Sequence, residues 1–252
     1  MANWYAAMRN VVVTGASRGL GLAIASALAA HGYRVIGIAR GDSEEFRTAA
    51  ASLAQQSDAG PLLLEHFDLA QTSGIGALMT ALRKKHGPLY GLVNNAGVGT
   101  AGVLSNMHLA DIETLTRINL TAPIVLCKYV LRSMMIERSG RIVNIASIIA
   151  STGYSGLSVY AATKAALIGL TRSLAREVGQ LNITVNAISP GFISTAMTAE
   201  VDASLRDKIA HRSALRRMAE PADVAAAVEF LLSDAARNIT GTTLTVDAGG
   251  TA

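Results

Sequence analysis

"NVVVTGASRGLGLAIASALAAHGYRVIGIARGD", residues 10–42, decides the fold. It opens on an apolar run, 10–14, that does not alternate with polar residues, as a strand covered on both faces reads. Glycines follow at 15, 19 and 21, and then an alanine-rich stretch with helical patterning. Gly32 closes that stretch, and a second apolar run follows at 34–39. Strand, glycine turn, helix and strand in this order make a βαβ unit, whose strands are parallel.

The rest of the chain repeats the pattern. Apolar runs recur at 61–67, 89–94, 141–147, 183–189 and 243–247, with helical segments between them. The expected fold is therefore α/β: a single-domain, Rossmann-type, doubly wound parallel sheet of about seven strands with helices on both faces. No low-complexity linker and no internal repeat divides the 252 residues, so one domain is expected over 1–252, with a short extension at 1–9.

Composition narrows the class. Half of the residues are hydrophobic and only 4% are aromatic, which suits a core of aliphatic strands and alanine-rich helices. The net charge is +4, and 22 basic and 18 acidic residues are spread along the chain, which is not a nucleic-acid stripe. Cys127 is the only cysteine and sits in the apolar run "PIVLCKYVL", so it is expected to be packing material. The five histidines, at 31, 66, 86, 108 and 211, fall at no metal-ligand spacing, and no metal is expected. The start, "MANWYAAMRNVVV", lacks the pattern of a secretory signal. The uncharged run 142–163 is long enough to span a bilayer, but it contains Asn144 and the serines 147, 151, 155 and 158, which argues against a membrane. A cytoplasmic protein is expected.

The glycine turn has a ligand chemistry. Gly15, Gly19 and Gly21 let the backbone turn tightly and approach a ligand, and free amides at a helix start attract phosphate. The spacing is G-x-x-x-G-x-G, not the common dinucleotide fingerprint G-x-G-x-x-G, and a plain tight turn stays an open reading. The neighbouring charges add to it. Arg40 stands at the end of the second strand, where NAD-binding folds carry an acid for the ribose hydroxyl. An arginine there pairs with a 2′-phosphate, so Ser17, Arg18 and Arg40 favour NADP(H). Asp42 opposes this if it turns inward; otherwise it serves the helix that follows.

A second cluster carries proton chemistry. In "SVYAATKAAL", Tyr160 and Lys164 are four apart and share a face if the segment is helical. A free phenol has a pKa of roughly 10, and a nearby ammonium stabilises the phenolate and lowers it. Ser147 ends the apolar run 141–147, on the side of a parallel sheet where ligands sit, and its hydroxyl can bond a carbonyl oxygen that gains charge. Read singly, Tyr160 and Lys164 are ordinary helix residues and Ser147 a turn serine.

The motifs "TGASRGLG" (14–21), "NNAG" (94–97), Asn119 in "RINLTAP", Ser147, "YAATK" (160–164) and "PGFIST" (190–195) occur in this order. Together, over residues 11 to 250, they resemble the classical short-chain dehydrogenase/reductase family. The resemblance implies Tyr160 as proton donor or acceptor, Lys164 as its partner and ribose ligand, Ser147 at the carbonyl and Asn119 in a proton relay. It implies cofactor contacts at Gly15, Ser17, Arg18, Gly19, Leu20, Gly21 and Arg40. Further contacts fall at Asp68 and Leu69, at Asn95, Ala96 and Gly97, and at Pro190, Gly191, Ile193 and Thr195, besides Tyr160 and Lys164 themselves.

Within the family the chain is most similar to 3-oxoacyl-[acyl-carrier-protein] reductases, through "SLAREVGQLNITVNAISPGFISTAMT" and "FLLSDAARNITGTTLTVDAGG". That likeness implies NADPH-dependent reduction of a 3-oxoacyl thioester, on carrier protein or CoA, in fatty-acid synthesis or a dedicated secondary pathway. It also implies a homotetramer built on helices near 107–137 and 158–179. A substrate loop is expected at about 192–217, with Phe192 and Met197 as apolar contacts. Of the two basic positions that would dock an acidic carrier, one carries Arg138 and the other Leu181, where the reductases carry arginine; Arg212, Arg216 and Arg217 in the substrate loop either meet an acidic partner or are solvated. The chain stops a few residues short of the family's usual tail, and Trp4 and Tyr5 are candidates to cover that gap. Two other functions remain open: a carbonyl reductase or alcohol dehydrogenase for a free ketone, sugar or polyol, and a non-catalytic NADP-binding sensor. The three-residue gap between Tyr160 and Lys164 argues against an enoyl reductase, whose related motif is more widely spaced.

Overall fold

The computed structural model describes residues 8–193 and 203–252; Trp4, Tyr5, Thr195 and Met197 lie outside them. Every expected apolar run forms a strand. These are β1 (Asn10–Thr14), β2 (Arg34–Ala39), β3 (Leu62–His66), β4 (Leu89–Asn94), β5 (Gly140–Ile145), β6 (Ile183–Pro190) and β7 (Thr243–Val246). They form one parallel sheet in the order β3-β2-β1-β4-β5-β6-β7. The run expected at 141–147 stops pairing at Ile145, so Ser147 stands two residues past its strand rather than in it.

The helices connect these strands. The first half carries α1 (Gly19–Ala30), α2 (Glu44–Leu53) and α3 (Ile75–His86). The second carries α4 (Leu109–Thr116), α5 (Ala122–Glu137), the short α6 (Ile149–Thr152), α7 (Ser158–Val178), α8 (Ala203–Arg212) and α9 (Pro221–Leu232). A π turn, Arg117–Thr121, joins α4 to α5. Among the described residues, no helix is long and apolar enough to cross a membrane.

Strand side chains alternate between the sheet's two faces, and the sheet divides the core accordingly. Val11, Val13, Val35, Val93 and Val143 join one buried cluster with α1 and α9. Val12, Ile36, Ile38, Leu92 and Ile142 join the other, with α3, α5 and α7. Helix α1 buries Gly21, Ile24, Ala25, Leu28 and Ala29, a spacing of three and four that makes one face. Its small residues let it lie close to the sheet and to α9. Cys127 is buried in the second cluster, where burial pushes its thiol up to about 12. It is packing material, as its apolar run implies.

One topological feature positions the site. The chain leaves β1 toward β2 and β3 on one side, then returns to β4 on the other. At such a reversal the connections leave in opposite directions and open a crevice at the carboxyl ends of the strands. Gly15 follows β1 there, and Asn95, Ala96 and Gly97 follow β4.

Candidate active site

The crevice is closed at its base by Thr14. Its hydroxyl accepts hydrogen bonds from the backbone amides of Asn95 (3.0 Å) and Ala96 (2.9 Å), and the Asn95 side-chain amide donates to the Thr14 carbonyl at 2.9 Å. Asn95 thereby clips the loop after β4 to the glycine turn. Gly15 has φ +68°, and a Cβ on it would stand 3.0 Å from the Ala96 Cα. A Cβ on Gly21 would stand 2.0 Å from the Gly15 carbonyl oxygen, so the helix can start this close only with glycine there. Gly19 differs: a Cβ there would meet nothing within 4 Å, so its open side faces free space.

That space suits a dinucleotide phosphate. Helix α1 begins at Gly19 with no side-chain cap, which leaves its first amides without an intrahelical partner. Arg18, at the cap position, and Arg40, after β2, are both exposed. Among the described residues neither makes a side-chain hydrogen bond or ion pair. Asp42 does. Its carboxylate pairs with Arg47 at 2.9 Å and accepts from the Ser43 amide at 2.7 Å. The acid therefore serves the start of α2, while the two arginines remain available. Ser43 also donates to the Ser17 carbonyl at 2.5 Å and caps α2 through Phe46 at 3.0 Å, which ties the two loops together. Asp68 accepts from the Ala70 amide at 3.0 Å, and Leu69 beside it is buried.

The proton-handling residues gather past the end of β5. Tyr160 and Lys164 lie on one face near the start of α7, as the spacing predicts, and the Ser147 side chain lies close enough to the Tyr160 phenol to favour its ionised form. Ser147 Oγ also accepts from the Ile149 amide at 3.3 Å. Lys164 is buried; its ammonium donates to the Ile145 carbonyl at 2.8 Å and stands 5.7 Å from the Tyr160 ring centroid. Burial pushes the ammonium down to about 8. The expectation that Lys164 lowers the phenol's pKa is not met by these protein groups. Burial raises the Tyr160 pKa, and the neighbouring Ser147 hydroxyl opposes that rise.

Asn119 is fully buried in the π turn, and both ends of its amide are engaged. Its oxygen accepts from the Val98 amide at 2.8 Å and its nitrogen donates to the Val98 carbonyl at 2.9 Å. The same nitrogen lies 3.4 Å from Thr163 Oγ1, which donates to the Tyr160 carbonyl at 2.7 Å. Thr163 is a site residue that the sequence reading passed over. A Cβ placed on Gly97 would stand 3.4 Å from Asn119 Oδ1 and 3.5 Å from Lys164 Nζ, so the loop after β4, the π turn and α7 converge at that point.

The β6 end completes the crevice. The Pro190 carbonyl accepts from the Ile148 amide at 3.1 Å, the Gly191 amide donates to Val246 at 2.9 Å, and buried Ile193 bridges to Ala219. The Phe192 ring packs edge-on against Tyr154, another residue the sequence reading missed, with centroids 6.4 Å apart. Arg138 stands elsewhere. It ends α5 with φ 49°, and its guanidinium reaches the Gln180 carbonyl at 3.5 Å. Leu181, next to Gln180, packs against the second core cluster, so its side chain serves the interior.

A glycine-walled crevice at the strand reversal, with a serine, a tyrosine and a lysine beside it, defines a nicotinamide-dependent oxidoreductase. Comparison with known proteins narrows the class. A family model described as enoyl-(acyl carrier protein) reductase matches residues 15–251. The 3-oxoacyl-[acyl-carrier-protein] reductase FabG of Vibrio cholerae is 39% identical over 238 residues, covering 94% of this chain and 95% of that protein. Nodulation protein G of a Rhizobium species is 38% identical over 244 residues, 96% of each. A Beutenbergia cavernae structure, described as an NAD(P)-dependent gluconate 5-dehydrogenase with NADP at low occupancy, superposes with a TM-score of 0.89 at 34% identity over 96% of each chain. The chain belongs to the short-chain dehydrogenase/reductase family.

Proposed function

We propose that the protein reduces a 3-oxoacyl thioester, held on an acyl carrier protein or CoA, to the 3-hydroxyacyl thioester with NADPH. The observation that carries the cofactor choice is the pairing of Asp42 with Arg47, which leaves Arg40 and Arg18 exposed beside the glycine turn. A 2′-phosphate fits two unpaired guanidinium groups, whereas an inward carboxylate would repel it. The substrate class is supported by the 3-oxoacyl reductase named among the relatives.

Bound NADPH supplies the hydride that the carbonyl carbon takes up. Ser147 donates a hydrogen bond to the carbonyl oxygen, and Tyr160 gives that oxygen its proton. The Ser147 hydroxyl and the Tyr160 phenol are neighbours past the end of β5, so both can reach one carbonyl oxygen. Lys164 holds a charge at the rear of the site and would hold the nicotinamide ribose. Thr163 and Asn119 fix α7 against the loop at Val98. The phenol needs its proton to act as an acid, and a pKa held above the ordinary range keeps it protonated at neutral pH.

Leu181 favours a second reading, reduction of a free ketone. Because the Leu181 side chain is packed against the core cluster and carries no charge, Arg138 alone remains of the two docking positions. The deciding assay follows NADPH absorbance with acetoacetyl thioesters of carrier protein and CoA beside a panel of free ketones. Turnover of the carrier thioester is expected, and turnover of free ketones alone would move the protein to the second reading. Tyr160→Phe is expected to lose about 10²- to 10⁴-fold in kcat while NADPH binding persists. Unchanged turnover would refute the assigned acid.

A further inference from the structure

We propose that Tyr154, packed on Phe192, is a specificity-determining residue that holds the apolar chain of the substrate's acyl group. The inference rests on the thioester reading and goes beyond it to the residue that selects the chain. Tyr154 lies in the turn between α6 and α7, six residues before Tyr160. It is 51% exposed. Its ring meets Phe192 edge-on, at an interplanar angle of 65°.

Phe192 comes from the loop after β6, and the Ile148-to-Pro190 hydrogen bond ties that loop to the one carrying Ser147. The aromatic pair therefore bridges the two loops that flank Ser147. A third loop joins them, because the Gly102 amide donates to the Gly156 carbonyl at 2.9 Å. Just past Gly102, Val103 and Leu104 are also exposed. Exposed apolar side chains on loops tied to the one that carries Ser147 offer a surface for an apolar ligand.

The same loops lack charge. Residues 97–107, 148–157 and 190–193 contain no Asp, Glu, Lys, Arg or His. A substrate whose carbonyl oxygen lies at Ser147 and Tyr160 thus meets no cation on these segments that could pair with a carboxylate. A sugar acid would leave its carboxylate unpaired there, which is costly when water is displaced. An acyl chain would cover Tyr154 and Phe192.

The experiment uses the intact protein and compares Tyr154→Ala and Tyr154→Phe on acetoacetyl, 3-oxohexanoyl and 3-oxooctanoyl thioesters and on 5-ketogluconate. For Tyr154→Ala, kcat/KM is expected to fall with the longest chain by roughly tenfold, through KM, with smaller losses as the chain shortens. Tyr154→Phe should restore it, since the ring is kept. An equal loss at all lengths, or no loss, would overturn the inference while wild-type turnover of thioesters left the reading intact. If the wild type reduced 5-ketogluconate and no thioester, both would fall. Thermal melts of the variants exclude a folding defect, which an exposed turn residue is not expected to cause.

Discussion

Lys164 shows at the scale of one residue what the site costs the fold. Its ammonium is buried, its one hydrogen-bond partner among the described residues is the Ile145 carbonyl, and its pKa is depressed to about 8. The folded state therefore binds this proton less tightly than the unfolded chain does. Stability from this group is fully present above the ordinary lysine value near 10.5, declines as pH falls and is gone below about 8. The whole swing is about 3 kcal/mol. Denaturant unfolding at pH 7.5 and 9.5 is expected to show a gain of about 2 kcal/mol from this ammonium at the higher pH, partly offset in both proteins compared by the Cys127 thiol, whose raised pKa favours the unfolded chain as pH passes 9. Lys164→Met should lack this gain and lose activity. An equal gain in both proteins would show that the ammonium is not desolvated. The raised Tyr160 pKa acts elsewhere: it contributes below pH 10 and is lost above it, outside the interval compared. Ser147, Tyr160 and Lys164 stood out in the sequence only as members of the ordered set of family motifs, because each read singly is an ordinary turn or helix residue. The direction of the phenol's pKa was not legible, because burial comes from elements distant in the chain.

At the scale of elements, cofactor choice belongs to two connections that act together. The β1–α1 turn carries Arg18, and the β2–α2 turn carries Arg40 and Asp42. The Ser43 bond to the Ser17 carbonyl fixes one turn against the other, and Arg47, one helical turn into α2, draws Asp42 away. Arg40→Glu is expected to weaken NADPH binding by roughly 10- to 100-fold, the loss of a charge-assisted contact, and to alter NADH binding little. Fluorescence titration with both cofactors measures it, and equal losses for the two would remove Arg40 from the phosphate site. The uncertainty over Asp42 in the sequence is of a kind only tertiary structure resolves, since its partner was one of several nearby cations. The π turn at Arg117–Thr121 is another such feature. "RINLT" reads as ordinary helix, and the Asn119 bonds that accompany the turn go to Val98, twenty-one residues away. Tyr154 carried no signal at all, because only the topology brings it to Phe192.

For the whole molecule, the doubly wound architecture was readable because each strand is a continuous apolar run with turn residues at its ends. What such a chain does with its outer faces is a separate matter. Helices α4 and α5 present Leu109, Ile124, Met135 and Ile136 to solvent, with 42% to 69% of their surface exposed. A homotetramer built on these helices would cover them, in keeping with the assembly proposed from the family resemblance. Symmetry makes this testable by one substitution. In a two-fold contact each change occurs twice, so a carboxylate placed at Ile124 is buried opposite a second copy. Losing the isoleucine costs about 1.5–3 kcal/mol per copy, and the unpaired charge adds to that. Light scattering is expected to give the wild type about four times the 26.1 kDa chain mass, and Ile124→Asp a smaller species with an intact fold by circular dichroism. A monomeric wild type would refute the tetramer. An unchanged tetramer in the variant would leave the assembly standing and move its contacts off this face of α5.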